Sequence, residues 1–358
     1  MLPNPDPEDE HIRVFLPGEE DLDDLDEIDE ESFADAASSG YRFPDAAFAS
    51  LERGEVHATD LAGFADLARK DLPKIQSRWR ALPDDTRETA ASLLAELAEE
   101  SFELDFSRFF VLLLDDSSAI VRQRAISALD AQQALTAKAR LIELAKTDLS
   151  TDVRIEATLA LGTVARTIIE DEPDGEDGED VREAVFSILS NPAESIMLRR
   201  RALEAAAHFP NDARLDPAIE EFFAEEEIGA RASAIFAMGQ SYRTHWLPTV
   251  LGEFAHDDAE VRFEAARAAG ALGDVAALQG LERLARDDDA EVRQGAISAI
   301  AEIGGKPATR LLEKLQHSAE YDADIEALDE AMFEAQLSVR LEATEDGDDD
   351  DEDEDDFF

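Results

Sequence analysis

The feature that most constrains how this chain can fold is an internal repeat of roughly 32 residues, marked by a pair that is usually Val-Arg. The arginines of these pairs are 35, 32, 45, 32, 31 and 31 residues apart. The single long interval contains the acidic segment 168–180, and removing that segment restores the period. One such unit cannot bury its own apolar face, so the repeat predicts units that stack side by side and are buried by their neighbours.

Each unit contains two helical patterns. In one unit the first pattern covers Glu260–Leu272 and the second covers Ala276–Ala285, where Leu recurs at every third position. Small residues in the first pattern predict close approach of neighbouring helices. Four glycines are predicted to lie at helix ends, where a left-handed cap is common: Gly162, Gly239, Gly273 and Gly304.

The repeat phrases DDAEVRFEAARAAGALGD (257–274) and DDAEVRQGAISAIAEIGG (288–305) resemble HEAT-repeat proteins of the phycobiliprotein-lyase-like subgroup. The resemblance covers roughly residues 67–337. It implies an all-α, right-handed α-solenoid of about seven to eight HEAT-type helix pairs. In this family the Val-Arg helices line the concave side, and an arginine column bonds between neighbouring repeats. Carried over, the arginine column is Arg122, Arg154, Arg199, Arg231, Arg262 and Arg293.

The planar guanidinium fork suits Arg to this structural role, because it can reach a carboxylate and backbone carbonyls together. The end units depart from the phrase. The first carries Thr86-Arg87 and the last carries Ile325-Glu326, which makes their place in the column less certain.

The chain divides into four regions. Residues 1–40 are an acidic segment that we predict to be disordered, in which the apolar island His11–Pro17 is a candidate strand or clamp. Residues 41–81 are predicted to form a helical N-terminal cap over the first repeat. The solenoid follows at 82–340, with segment 168–180 as an inserted acidic loop, and residues 341–358 are a second disordered acidic tail.

The net charge of −53 places the chain far outside the usual range. Three short segments, 1–31, 170–180 and 345–356, hold 33 of the 86 acidic residues, and the others are spread over the whole body. Only six of the 33 basic residues are Lys. This distribution is typical of halophiles that accumulate salt, whereas a nucleic-acid mimic or histone-type chaperone would concentrate its acid on one face or tail.

The sequence contains no Cys, so disulfides and thiolate sites are excluded. Its N-terminus has no basic region followed by an apolar run, and no segment approaches the length of a membrane span. We therefore expect a cytoplasmic protein without membrane association.

A candidate protein-binding site follows from the predicted concave face. Residues one, two and five places after each repeat Arg would point into that face. Aromatic and Arg side chains, which dominate binding hot spots, cluster there as Arg200, Arg201, Phe236, Phe263 and Arg267. The alternative is structural, with the Phe side chains filling the core between repeats and the Arg side chains pairing with Glu204 or Glu264.

No catalytic constellation, phosphate-binding loop or clustered metal ligand is evident, so we expect no enzyme activity, no metal site and no cofactor. The acidic field also argues against nucleic-acid binding. The leading hypothesis is a non-enzymatic scaffold or adaptor that binds a protein partner through its concave face. Two alternatives stay open: a maturation factor or lyase-like enzyme, by analogy with the family, and an acidic chaperone that acts through its tails.

Overall fold

The computed structural model describes residues 13–15, 44–100, 104–171, 178–317 and 324–333 of the 358-residue chain. They are mostly helical, and the chain divides into two compact units, Met1–Thr167 and Ile168–Phe358. The predicted all-α fold of repeated helix pairs is confirmed. The acidic stretches predicted to be disordered, 1–40 apart from 13–15 and 341–358, lie outside the described residues.

The first unit contains two short strands and a series of helices. The strands are β1 (Arg13–Phe15) and β2 (Glu55–His57). The helices are α1 (Asp45–Leu51), α2 (Ala58–Leu61), α3 (Leu72–Trp79), α4 (Asp84–Glu100), α5 (Ser107–Leu113), α6 (Ala119–Ser127), α7 (Ala131–Thr136), α8 (Lys138–Thr147) and α9 (Thr151–Asp171), whose last four residues belong to the second unit.

The apolar island near the N-terminus contributes a strand. β1 pairs in parallel with β2, with Val14 opposite Val56. This pairing joins the island, across a long stretch of sequence, to the segment predicted to cap the first repeat.

The predicted cap packs on the first repeat through aromatic side chains. Trp79, at the end of α3, is 1% exposed, and its ring packs edge to face (T-shaped) with the rings of Phe64 and Phe109. The indole Nε1 donates to Asp116 Oδ2 at 2.8 Å. Because Phe109 and Asp116 belong to the first repeats, the cap shares one core with them.

The second unit is a regular series of helix pairs. Its helices are α10 (Glu179–Leu189), α11 (Ile196–Ala206), α12 (Leu215–Phe223), α13 (Ile228–Gln240), α14 (Leu247–Gly252), α15 (Ala259–Leu272), α16 (Leu278–Leu284), α17 (Ala290–Ile303) and α18 (Gly305–Gln316). Residues 324–333 are also helical. The pair predicted over 260–272 and 276–285 corresponds to α15 and α16.

Helices that begin with the Val-Arg pair form one layer of this unit. α11 contacts α13, α13 contacts α15, and α15 contacts α17, while α12, α14, α16 and α18 pack beside them. Two glycines set the spacing in the last part of the layer. A Cβ on Gly239 would lie 2.6 Å from Ala268 Cα, and one on Gly270 would lie 2.8 Å from Ala299 Cα. A side chain at either position would therefore force the neighbouring helices apart.

Helix ends correct part of the glycine prediction. Gly273 ends α15 in the predicted left-handed conformation, with φ 70° and ψ 12°, whereas Gly304 ends α17 with a positive φ of 68° but an extended ψ of −167°. Gly162 and Gly239 instead lie inside α9 and α13. The residue just after α13 that has a left-handed φ is Tyr242, at 52°, eleven residues after Arg231, the spacing that separates Gly273 from Arg262.

The acidic insertion is shorter than segment 168–180. α9 continues to Asp171, and α10 begins at Glu179. Buried Ile168 gives the end of α9 an apolar anchor, which keeps these residues helical despite the acid that follows.

Candidate functional site

The arginine column binds a carboxylate and backbone carbonyls at nearly every repeat. Arg262, near the start of α15, donates from Nε and Nη2 to the two carboxylate oxygens of Asp287 at 2.9 and 2.7 Å. Its Nη1 donates to the carbonyls of His256 and Asp257. One guanidinium therefore links the turn that precedes α15 to the acidic turn that precedes α17, the next helix that carries a repeat Arg.

Other members of the column make equivalent contacts. Arg122 donates two hydrogen bonds to the Asp148 carboxylate, and Arg231 donates two to that of Glu253. Arg293 donates one to Asp324. Each of the three also donates at least one bond to a backbone carbonyl. Arg199 donates to Glu221 and to the Leu189 carbonyl, and Arg154 donates to the Ala145 carbonyl. These geometries agree with the structural role implied by the family resemblance.

Arg87 extends the column into the first repeat, where the sequence was ambiguous. Its side chain is 2% exposed and pairs with Asp116, itself 1% exposed, as well as with Asp84 at 2.5 Å. The Leu82 carbonyl accepts a further bond from Nε. Thr86 therefore stands in the usual Val position without changing what the Arg does.

The predicted binding residues do not all lie on one accessible surface. Arg200 is buried, and this part of the prediction is wrong: its guanidinium lies over Gly229 and bonds Ser233 Oγ at 3.1 Å and Glu227 Oε1 at 3.2 Å. The absence of a side chain at Gly229 gives the guanidinium its space. Arg200 therefore connects α11 to α13.

Arg201 lies at one end of a polar network. Its Nη1 donates to Glu204 Oε2 at 2.6 Å, and Ser233 Oγ donates to Glu204 Oε1 at 2.7 Å. Ser233 in turn accepts from buried Arg200. The Arg201 side chain stays one-third exposed, so it is accessible while the carboxylate beneath it is fixed.

The three remaining residues of the prediction form one cluster. The Arg267 guanidinium carbon lies 5.8 Å from the ring centroid of Phe236 and 5.6 Å from that of Phe263, within the range of cation–π attraction. Both rings are half-buried. The Phe263 ring lies over Gly295 and fills space between α15 and α17, so it has in part the structural role that the alternative interpretation gave to these Phe side chains. Arg267 is 47% exposed and pairs only loosely with Glu264, at 3.3 Å.

A cavity of about 140 Å³ opens beside this cluster, between α13, α15 and α17. Phe236, Arg267 and two carboxylates, Glu264 and Glu302, line it. Burial raises the pKa of the Glu264 carboxyl, opposed by the Arg267 charge and assisted by that of Glu204. Burial likewise raises the pKa of Glu302, opposed by Arg267. Glu302 was not predicted from the sequence; it follows Arg293 by nine residues, the position that Ala271 holds after Arg262.

A second cavity, of about 270 Å³, lies between α10 and α12. Arg214 stacks 4.1 Å above the Phe186 ring there and bonds both Glu183 and Asp212. Hydrogen bonds from Arg214 lower the pKa of both carboxyls. In this second cavity Arg214 therefore pairs with both carboxylates, whereas the carboxylates of the first cavity are not fully paired. Both cavities are smaller than the roughly 300–1,000 Å³ typical of small-molecule sites.

Among the described residues, no group of three or more His, Asp or Glu side chains is arranged to hold a metal ion. In the same part of the chain, no helix has the length and apolar character needed to cross a membrane.

Comparison with known proteins identifies the repeat type over part of the chain. A family model described as HEAT repeats matches residues 215–301 and 248–332, which include α12 to α18. This part of the chain is therefore HEAT-like. No curated protein matches the sequence significantly.

Several solved structures are similar in fold. The complex of CpcE and CpcF of phycocyanin lyase from Nostoc sp. PCC7120 has a TM-score of 0.46 and 16% identity, covering 74% of this chain and 94% of that one. Importin beta also has a TM-score of 0.46, with 12% identity, over 78% of this chain and 44% of its own. An engineered protein has a TM-score of 0.39 and 18% identity, covering 78% and 83%.

Proposed function

We propose that this protein is a non-enzymatic scaffold that binds a protein partner through the Val-Arg helices α11, α13, α15 and α17. The observation that carries the proposal is the contrast between charges on these helices. Arg262 is held by a carboxylate and two carbonyls, whereas Arg267 on the same helix is 47% exposed over two half-buried rings. Exposed Arg beside aromatic rings is the composition of a binding hot spot.

The proposed binding surface comprises Arg201, Phe236, Phe263 and Arg267. It differs from the sequence prediction by the loss of Arg200, which is buried. The cavity beside these residues, at about 140 Å³, is well below the usual volume of a small-molecule site, which favours a shallow protein-binding surface at this place over the deep polar pocket expected of a lyase-like enzyme. A placement within the phycobiliprotein-lyase-like subgroup rests on the repeat phrases and carries no activity with it.

Photocrosslinking in concentrated KCl tests this surface directly. p-Benzoylphenylalanine is placed at position 236, with position 275 as the matched control because Val275 is exposed on a short turn of the same unit. We expect position 236 to give a discrete crosslinked protein in a lysate of the source cells, and position 275 not to. Unlabelled native protein should compete for the product, and the double variant Arg201→Gln/Arg267→Gln should compete poorly.

Equal crosslinking at positions 236 and 275 would contradict the proposed binding surface. A product that disappears only when Thr344–Phe358 is deleted would favour the chaperone that acts through its tail.

We further infer that the protein works in a salt-rich cytoplasm. The net charge of −53 and the near absence of Lys support this, since in about 1 M salt the screening length falls to roughly 3 Å and repulsion between carboxylates weakens. The midpoint of urea unfolding should then keep rising through molar KCl. A midpoint that stops rising at about 0.15 M KCl, where the screening length is still roughly 8 Å, would contradict this inference.

A further inference from the structure

The cavity between α13, α15 and α17 has more negative than positive charge. Glu264 and Glu302 face a single guanidinium, Arg267, and its contacts with Glu264 are long, at 3.3 and 3.4 Å. Within the described part of the chain, no hydrogen bond or ion pair reaches the Glu302 carboxylate. This leaves carboxylate capacity that the protein itself does not satisfy.

Packing fixes these carboxylates. Glu302 Oε2 lies 2.6 Å from where a Cβ on Gly270 would stand, so the carboxylate sits over the bare backbone of the neighbouring helix. The Glu264 side chain is only 18% exposed. Burial raises the pKa of the Glu264 carboxyl, so its ionised form is poorly solvated, whereas Glu302 is exposed and its carboxylate keeps contact with water. An added positive charge would relieve that cost.

The rest of the cavity suits a flat or slender cation. Phe236 supplies a ring face, and the roughly 140 Å³ of space accommodates the end of one side chain rather than a cofactor. A guanidinium can stack on a ring and bond carboxylates within one plane. The charge of the site is therefore complementary to a basic side chain.

We propose that the partner presents a basic segment and that an Arg or Lys side chain of this segment enters the cavity, where Glu264 and Glu302 bind its cation. This inference rests on the scaffold function proposed above and adds the chemistry of the partner. The largely buried Glu264 and the Glu302 carboxylate held over Gly270 provide specificity, while the acidic body attracts the segment from a distance.

A short peptide with two arginines separated by glycines serves as the probe, and the same peptide with citrulline, a neutral isostere of Arg, serves as its control. Binding is measured by fluorescence anisotropy in KCl at about 1 M, where long-range attraction is screened and contact pairs persist. We expect the full-length protein to bind the arginine peptide and not the citrulline peptide. The double variant Glu264→Gln/Glu302→Gln should bind the arginine peptide about tenfold more weakly.

The matched variant is Glu220→Gln/Glu313→Gln, which removes two charges from exposed positions on α12 and α18. Its affinity should equal that of the native protein. Equal loss in both double variants would show general attraction to an acidic body and overturn the proposal, as would equal binding of the citrulline peptide.

Crosslinking at position 236 separates this inference from the function beneath it. If the partner still crosslinks to the Glu264→Gln/Glu302→Gln variant as strongly as to the native protein, the proposed scaffold function is supported and the proposed basic segment of the partner is contradicted. If the partner is lost together with the arginine peptide, both are supported. Thermal unfolding of each variant verifies that it is folded.

Discussion

Two arginines on α15, five residues apart, behave in opposite ways. Arg262 is enclosed, with its donors directed at Asp287 and at the carbonyls of the preceding turn. Arg267 lies over two aromatic rings, exposed, with one loosely paired carboxylate. The difference separates an arginine that holds repeats together from one that is available to a partner, although the residue type is the same.

Removal of an enclosed arginine should have the largest effect. Arg87→Met leaves the Asp116 carboxylate buried without its cation, and we expect a loss of about 3–5 kcal/mol in the free energy of unfolding. Arg267→Met should lower it by about 1 kcal/mol or less, because the Arg267 guanidinium is 47% exposed and its contacts with Glu264 are long, at 3.3 and 3.4 Å. Urea unfolding in concentrated KCl measures both. Similar losses for the two variants would show that the comparison between enclosed and available arginines does not hold.

Backbone contact between Val-Arg helices gives the next effect. Gly239→Ala places a methyl group 2.6 Å from Ala268 Cα, so the helices must separate, and we expect a loss of about 1–3 kcal/mol. Gly252→Ala is the control, because that helical glycine has no neighbour within 4 Å, and here we expect a gain of about 0.4–1 kcal/mol. Two changes of the same sign would mean that the close packing is not what Gly239 provides.

The two classes of carboxylate should respond to pH in opposite directions. Burial would raise the pKa of Asp287, but hydrogen bonds from Arg262 and the Asp289 backbone outweigh it, and the pKa is lowered. Its contribution to stability is therefore present above the unfolded pKa of about 4 and is lost as pH falls through the folded value. The raised pKa values of Glu264 and Glu302 act the other way, because their cost is absent below the unfolded pKa of about 4.3 and complete above the folded one.

The Glu264→Gln/Glu302→Gln variant isolates that second class. At pH 7 we expect this variant to be more stable than the native protein. The gain in free energy of unfolding should be smaller than the losses expected for Arg87→Met and Gly239→Ala. The gain should shrink as the pH is lowered toward the unfolded Glu pKa of about 4.3. Urea unfolding at a series of pH values gives the difference, in which the general repulsion among carboxylates largely cancels. An advantage that grows as the pH falls would contradict the desolvation of these groups.

The period of the sequence was enough to predict the helix pairs and the arginine column, because one position in each unit carries the same residue for the same bond. Arg200 was misplaced for a different reason. Periodicity gives the side of a helix on which a residue lies but not the space that the next helix leaves. The available signal was Gly229, which stands two residues before Arg231 where the later repeats have Glu260 and Glu291.

Glu302 could not be identified as a cavity residue from its own repeat. Its position depends on Gly270, in the repeat before, which leaves the backbone uncovered beneath the carboxylate. Such pairwise complementarity appears only once neighbouring helices are in place. The candidate site therefore followed from the structure, whereas the fold followed from the repeat.

The last expected effect concerns the ends of three helices. Tyr242, Gly273 and Gly304 each follow their repeat Arg by eleven residues and have positive φ values of 52°, 70° and 68°. Left-handed backbone costs an L-residue roughly 1–2 kcal/mol, and glycine avoids this cost but gains freedom in the unfolded chain. We therefore expect Tyr242→Gly to stabilise the protein by about 0.5–1 kcal/mol, measured by urea unfolding. Gly273→Tyr should have the opposite effect, and a loss of stability in both variants would mean that the 65% exposed Tyr ring contributes packing that outweighs its backbone strain.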